Sequence, residues 1–90
     1  MKYRLLKDDS GNITAVEKFD NRRIFIETGR PYVERYIDTK GVVLVQFTYK
    51  IECIFYENEI LFCKRVYENK PEKIVTVEDE FLHQFIFRIL

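Results

Sequence analysis

The segment from Val42 to Tyr56 constrains the fold of this chain more than any other part of the sequence. Apolar residues occupy every odd position, and polar residues occupy most of the even positions between them. The apolar set is Val43, Val45, Phe47, Tyr49, Ile51, Cys53 and Phe55, and the polar set is Gln46, Thr48, Lys50 and Glu52. This period of two predicts a β-strand with one buried face, which needs antiparallel neighbours and a covering layer.

The predicted strand is longer than a typical one. Its fifteen residues would span about 50 Å at about 3.3 Å per residue, whereas strands usually have five or six residues. We therefore expect the strand to bend sharply or to carry a β-bulge. Such a bend or bulge is typical of a strand that is shared between two packed sheets or that coils through a small barrel.

Six further segments carry strand-forming residues and are separated by turn-forming ones. The predicted strands are Lys2–Lys7, Ile13–Phe19, Ile24–Glu27, Tyr32–Ile37, Ile60–Tyr67 and Lys73–Val77. The intervening turns are rich in residues that bond their own backbone, accept positive φ or interrupt a ladder. Two of them share the form Asp-x-x-Gly, beginning at Asp8 and Asp38. We interpret these as two copies of a common hairpin turn, because repeat architectures need about three repeats.

A turn centred on Asn58 is predicted to join the long strand to the strand that follows it. In that register the opposed pairs are Tyr56 with Ile60, Cys53 with Cys63, and Glu52 with Lys64. The opposite charges of the last pair would stabilise the hairpin. The two thiols would pack side by side, and we expect them to be buried and reduced.

The pattern changes from Thr76 onward and predicts a C-terminal helix. Thr76 is suited to cap the helix, and Glu78, Asp79 and Glu80 place negative charge in its first turn, where the helix dipole favours it. Apolar residues then recur at helical spacing, at Phe81, Leu82, Phe85, Ile86 and Ile89. A further strand is the alternative, because Phe81, Phe85, Phe87 and Ile89 also fall on alternating positions.

These elements together predict a single mainly β (α+β) domain over residues 1–90. The expected architecture is a strongly bent antiparallel sheet, or a small barrel, of five to seven strands with the C-terminal helix packed against it. A chain of this length buries only about 60 to 65% of its unfolded surface, so the core is thin. The eight Phe and six Tyr supply much of its buried area.

Charge is balanced, with fifteen basic and fifteen acidic residues. A duplex-binding protein normally has a basic excess, which is missing here. One segment nevertheless combines basic and aromatic side chains as a candidate binding surface. Its residues are Arg22, Arg23, Arg30, Tyr32, Arg35, Tyr36 and Lys40. Small β-barrels hold single-stranded nucleic acid with such side chains, but Glu27, Glu34 and Asp38 are interleaved among them and would neutralise the charge locally.

Residues for catalysis are sparse. His83 is the one histidine of the sequence, and no local pattern pairs it with Cys53 or Cys63 as a thiol–imidazole dyad. The same three residues lack the close spacing of a metal site, and the three glycines are isolated rather than gathered in a phosphate-binding loop. We therefore expect no catalytic residues, no metal and no cofactor.

The sequence favours a small non-catalytic binding or regulatory module that acts through protein–protein contacts. Tyr and Arg commonly anchor such contacts, and an unpaired sheet edge can dock a second chain, so a homodimer is one expectation. Proteins of this kind are common among inhibitory accessory proteins of bacteria and their phages. The alternative is a small β-barrel that binds nucleic acid. With no predicted signal segment and no membrane span, we expect a cytoplasmic protein.

Overall fold

The computed structural model describes residues 3–20, 22–83 and 88–89, which form eight strands and one short helix. The elements are β1 (Tyr3–Lys7), β2 (Ile13–Asp20), β3 (Arg22–Glu27), β4 (Pro31–Ile37), β5 (Val43–Glu57), β6 (Ile60–Tyr67), β7 (Lys73–Thr76), α1 (Val77–His83) and β8 (Arg88–Ile89). The first seven strands pair antiparallel in one sheet, and α1 packs against it. The predicted mainly β architecture with a C-terminal helix is therefore confirmed.

The described strands form an open, branched sheet rather than a closed barrel. β2 lies between β1 and β3, and β5 lies between β4 and β6, with β7 beyond β6 and β8 on β4. The two groups of strands meet where Ile13 of β2 pairs with Ile54 of β5, and where Thr28 bridges to Ile51. β8 adds a short parallel pairing that the sequence did not predict.

The two Asp-x-x-Gly turns adopt the same geometry. In each turn the aspartate carboxylate accepts hydrogen bonds from backbone N–H groups two and four residues later, at 2.9 and 3.0 Å for Asp8 and at 2.8 and 3.0 Å for Asp38. Gly11 and Gly41 both have φ of +85°, a conformation that glycine adopts without strain. The aspartate carboxylate thus bonds backbone N–H groups in the turn that have no partner in a neighbouring strand. Both hairpins are therefore closed by the same turn structure.

β5 contains the irregularity that its length predicts. The pairing register with β6 shifts between Ile51 and Cys53, as it does at a bulge. The shift reverses the alternation of faces, so Ile51 and then Ile54 are buried while Cys53 is exposed. The prediction that Cys53 continues the buried face is therefore wrong, because one extra residue turns it to the other side.

The hairpin between β5 and β6 is offset by one residue from its predicted register. Asn58 and Glu59 both have positive φ, 51° and 65°, and form a two-residue turn that pairs Glu57 with Ile60. Cys53 consequently lies opposite Lys64 rather than Cys63. The predicted ion pair survives the offset, with Lys64 Nζ 3.0 Å from Glu52 Oε2.

Helix α1 begins as the sequence predicts and is shorter than expected. The Thr76 hydroxyl accepts a hydrogen bond of 3.1 Å from the Asp79 N–H, which caps the first turn. The helix ends at His83, and Arg88–Ile89 is a strand, so each of the two predictions for this segment describes part of it. Phe85, Ile86 and Phe87 lie outside the described residues. No helix in the described ranges is long and apolar enough to cross a membrane.

The core lies between the sheet and α1. We call the face of the sheet that carries α1 the helix face; Tyr49 of β5 and Arg65 of β6 belong to it, since both contact Glu80 of α1. The buried apolar cluster comprises Val16, Ile26, Tyr32, Tyr49, Ile51, Ile54, Leu61, Cys63, Tyr67, Val77 and Phe81. Because it draws on both groups of strands, α1 and the sheet are held as one unit.

Candidate functional site

A buried ionic network connects the helix to the sheet. Glu34 of β4, Arg65 of β6 and Glu80 of α1 are each no more than 1% exposed. Arg65 Nε donates to Glu80 Oε1 at 2.6 Å, and Arg65 Nη1 donates to Glu34 Oε1 at 3.3 Å. One guanidinium therefore bridges two carboxylates that are far apart in the sequence.

Two tyrosines and a lysine complete this network. The Tyr49 hydroxyl donates to Glu80 Oε2, and the Tyr67 hydroxyl lies 3.3 Å from Arg65 Nη1 and 3.4 Å from Glu34 Oε1. Lys70 Nζ lies 3.3 Å from Glu34 Oε2 and 4.4 Å from the centre of the Tyr67 ring. Two cations thus compensate two carboxylates, as buried charges require.

The surroundings of Arg65 and Glu34 favour their charged forms, and those of Tyr49 favour its neutral form. Burial disfavours the charge on Arg65, but the Glu80 carboxylate together with Tyr67 and Tyr49 outweighs it and raises the pKa of the guanidinium above its usual value. Burial alone would raise the pKa of Glu34, yet Lys70 and Arg65 hold it below its ordinary value. Burial and the Glu80 charge raise the pKa of the Tyr49 phenol, which stays a neutral donor. We interpret the network as a structural device that fixes α1 on the sheet.

Sequence reasoning did not find this network. Glu80 was assigned to the helix dipole with its two acidic neighbours, although it is fully buried while Glu78 and Asp79 are exposed. The signal that could have revealed Arg65 is its position in β6, where it shares an alternating face with Cys63 and Tyr67. A charge on an otherwise apolar face implies buried partners.

The single histidine and the two cysteines do not come together as a dyad. His83 is the last residue of α1 and is buried, with its ring centre 5.8 Å from that of Tyr49 on the helix face. Cys53 is exposed and pairs with Lys64, which alternates with Arg65 and so lies on the opposite face. Cys63 is buried, and burial, assisted by the Glu80 charge, raises the pKa of its thiol to about 12. A neutral, shielded thiol is a poor nucleophile.

The native protein is therefore expected to react with a thiol reagent at one cysteine only. Titration with a chromogenic disulfide at mildly alkaline pH should label Cys53 in the folded state and both cysteines in guanidinium chloride, because only unfolding exposes Cys63. Cys53→Ser should abolish the reaction of the folded protein. Equal reaction rates for the two thiols in the folded state would contradict the placement of Cys63.

The structure distributes the basic and aromatic candidate residues over several surfaces. Tyr32 is buried, and its hydroxyl accepts a hydrogen bond of 3.0 Å from the Glu27 N–H, while the Arg30 guanidinium lies 5.5 Å from the centre of its ring. Arg35 donates to Gln46 at 3.1 Å on the face opposite Tyr36.

The remaining candidates are Lys40, Arg22 and Arg23. Lys40 lies in the turn between β4 and β5. The side chains of Arg22 and Arg23 lie outside what the structure describes. Their role in binding, and that of the candidate surface as a whole, stays a prediction.

The most unusual surface lies at the start of β5. Val42, Val43, Leu44 and Val45, which we call the hairpin patch, are 55, 49, 54 and 37% exposed. These residues extend beyond β6, whose pairing with β5 begins at Tyr49, and α1 packs mainly on β3, β6 and β7. Alternation places aliphatic side chains on both faces of the hairpin. The expected burial of Val43 and Val45 is therefore wrong.

Two cavities of moderate size open on the sheet. One of about 600 Å³ lies beside α1 and is lined by Phe62, Ile74 and Leu82 together with Arg65 and His83. The charge of Arg65 is already compensated by Glu34 and Glu80, so this wall offers little to attract an anion. The other, of about 720 Å³, lies along the middle of β5 and the end of β6.

Comparisons with known proteins leave the chain without an identified relative. No protein-family model matches it, and searches of curated proteins and of solved structures found no match. Within the described residues, no group of three His, Cys, Asp or Glu side chains is placed to hold a metal ion. Any functional inference must therefore rest on the geometry of the surface.

Proposed function

We propose that this protein is a non-catalytic interaction module that acts through protein–protein contacts made by the hairpin patch. The observation that carries the proposal is the exposure of four consecutive aliphatic residues, Val42 to Val45, at the end of a hairpin. Single exposed apolar residues are ordinary on protein surfaces, whereas contiguous apolar patches mark interaction sites.

The buried chemistry of the chain supports a structural rather than a catalytic use of its ionisable groups. Arg65, Glu34 and Glu80 bond to one another, and the Cys63 thiol is shielded and neutral. A catalytic group must reach substrate, and these buried ionic groups already bond to one another. A surface that binds and thereby regulates or inhibits another protein needs no such group.

The nucleic-acid alternative receives less support from the placement of its residues. Stacking platforms need exposed aromatic faces beside cations, but Tyr32 is buried and Arg35 lies on the opposite face from Tyr36. The proposal includes a cytoplasmic location, which is supported by the free state of both cysteines.

Site-specific photo-crosslinking in the native host cell tests the proposal. A benzophenone side chain at Leu44 is expected to form discrete adducts with another polypeptide, because this residue lies within the hairpin patch. The matched control is Ile60, which is 51% exposed at the tip of the β5–β6 hairpin and outside the patch. Adducts at position 60 that equal those at position 44, or none at either position, would contradict a role for the patch.

A further inference from the structure

The outer edge of β5 between Val43 and Thr48 has no strand beside it in the described part of the chain. Its other edge pairs with β4, and pairing with β6 begins only at Tyr49. Alternate residues of a strand direct N–H and C=O groups to each side, so this edge presents backbone donors and acceptors to its surroundings. Another strand is the partner that satisfies such a row of groups.

The sequence of this edge favours strand addition. No charged residue and no proline occurs between Gly41 and Tyr49, although these are the residues with which proteins commonly protect open edges. Val43, Leu44 and Val45 are exposed strand formers that a neighbouring strand would cover. The edge therefore combines backbone groups that have no strand partner with exposed apolar side chains.

We propose that a second copy of this chain fills the edge, pairing antiparallel with β5 about a two-fold axis near Val45. This inference rests on the proposed function, because it names the partner of the same patch. A two-fold axis perpendicular to the sheet keeps every side chain on its own face. Val43 then lies opposite Phe47 of the second copy, which is a favourable pair of a β-branched and an aromatic side chain, and Leu44 lies opposite Gln46.

Charge complementarity between the two ends of the edge supports a second copy as the occupant. Glu68 is exposed just after β6 and lines a small cavity with Thr48, so it lies at one end of the open edge. Lys40 is exposed in the turn at the other end. An antiparallel two-fold arrangement brings Lys40 of each copy toward Glu68 of the other, so the surface complements itself and the two ion pairs help to fix the register.

Sedimentation velocity over about a hundredfold range of concentration measures this association. The wild-type chain is expected to show a reversible monomer–dimer equilibrium. Val45→Lys places two like charges at the axis and is expected to raise the dissociation constant at least about tenfold, since like charges directly opposite are unfavourable. Val45 is 37% exposed, so the change should leave the fold intact, which circular dichroism checks. Ile74→Lys, at a residue 55% exposed on β7, is the matched control and should dimerise normally.

A charge exchange tests the register of the interface. Lys40→Glu should weaken the dimer severalfold, and combining it with Glu68→Lys should restore it, because the pair is then reversed rather than broken. A chain that stays monomeric, that forms only polydisperse aggregates, or that dimerises equally well with Val45→Lys overturns this proposal. Failure of the double variant to recover affinity overturns it as well.

The two proposals fail in different ways. A monomeric wild-type chain that still crosslinks through position 44 to a different protein overturns the second copy and leaves the interaction module in place. A chain that is monomeric and forms no adduct at position 44 overturns both.

Discussion

Arg65→Met is expected to destabilise the protein by about 3–5 kcal/mol, which is a large part of the stability of a domain of this size. Methionine has similar length, but it leaves Glu34 and Glu80 buried without the guanidinium that bridges them. Glu34 keeps Lys70 as a partner, whereas Glu80 must then take up a proton or pull α1 away from the sheet. Urea unfolding followed by circular dichroism at neutral pH measures the loss.

Two further variants separate loss of charge compensation from loss of packing. Lys64→Met removes a neighbouring cation whose partners, Glu52 and Glu72, are exposed, and it should cause a much smaller change. Combining Arg65→Met with Glu80→Gln removes the charge that Arg65 compensated, while Lys70 still pairs with Glu34, and this double variant should recover part of the lost stability. If Arg65→Met were no more destabilising than Lys64→Met, the network would not hold the helix in place.

Phe81→Ala is expected to cost about 3–5 kcal/mol as well, for a reason that involves no charge. Phe81 is 1% exposed in the centre of the core, and its ring stacks on that of Tyr3 with centroids 5.6 Å apart. Phe81 therefore makes an apolar contact between α1 and β1, and its removal leaves a cavity between them. Thermal and urea unfolding measure the change.

Leu82→Ala is the matched control for this prediction. Leu82 follows Phe81 on the same helix and is 57% exposed. Alanine and leucine are both good helix formers, so the free energy of unfolding should change by only about 0.5 kcal/mol. Equal effects of the two substitutions would show that α1 is not anchored through Phe81.

The strands and turns could be predicted from the sequence because their causes are local. Alternation of apolar and polar residues identified β5, and Thr76 with the acidic residues after it identified the start of α1. The register of the β5–β6 hairpin could not be predicted in the same way. It depends on Glu59 adopting positive φ beside Asn58, which a glutamate seldom does.

The candidate site was less accessible to sequence reasoning than the fold. Nothing local distinguishes the valines at the start of β5 from the buried residues that follow, because both obey the same alternation. They differ only in what lies over them, since α1 is short and covers the other end of the sheet. The hairpin patch is thus exposed because α1 is short and lies over another part of the sheet.

The sequence by itself determined which segments become strands, where the two aspartate turns begin and where the helix is capped, since each depends on neighbours a few residues away. The tertiary structure alone decided which charges are buried and which apolar residues are not. Glu34, Arg65 and Glu80 meet because three elements converge, whereas Val42 to Val45 stay exposed beside β4 at an end of the sheet on which α1 does not pack. Burial depends on contacts between segments that are distant in the sequence, and such contacts form only when the chain folds.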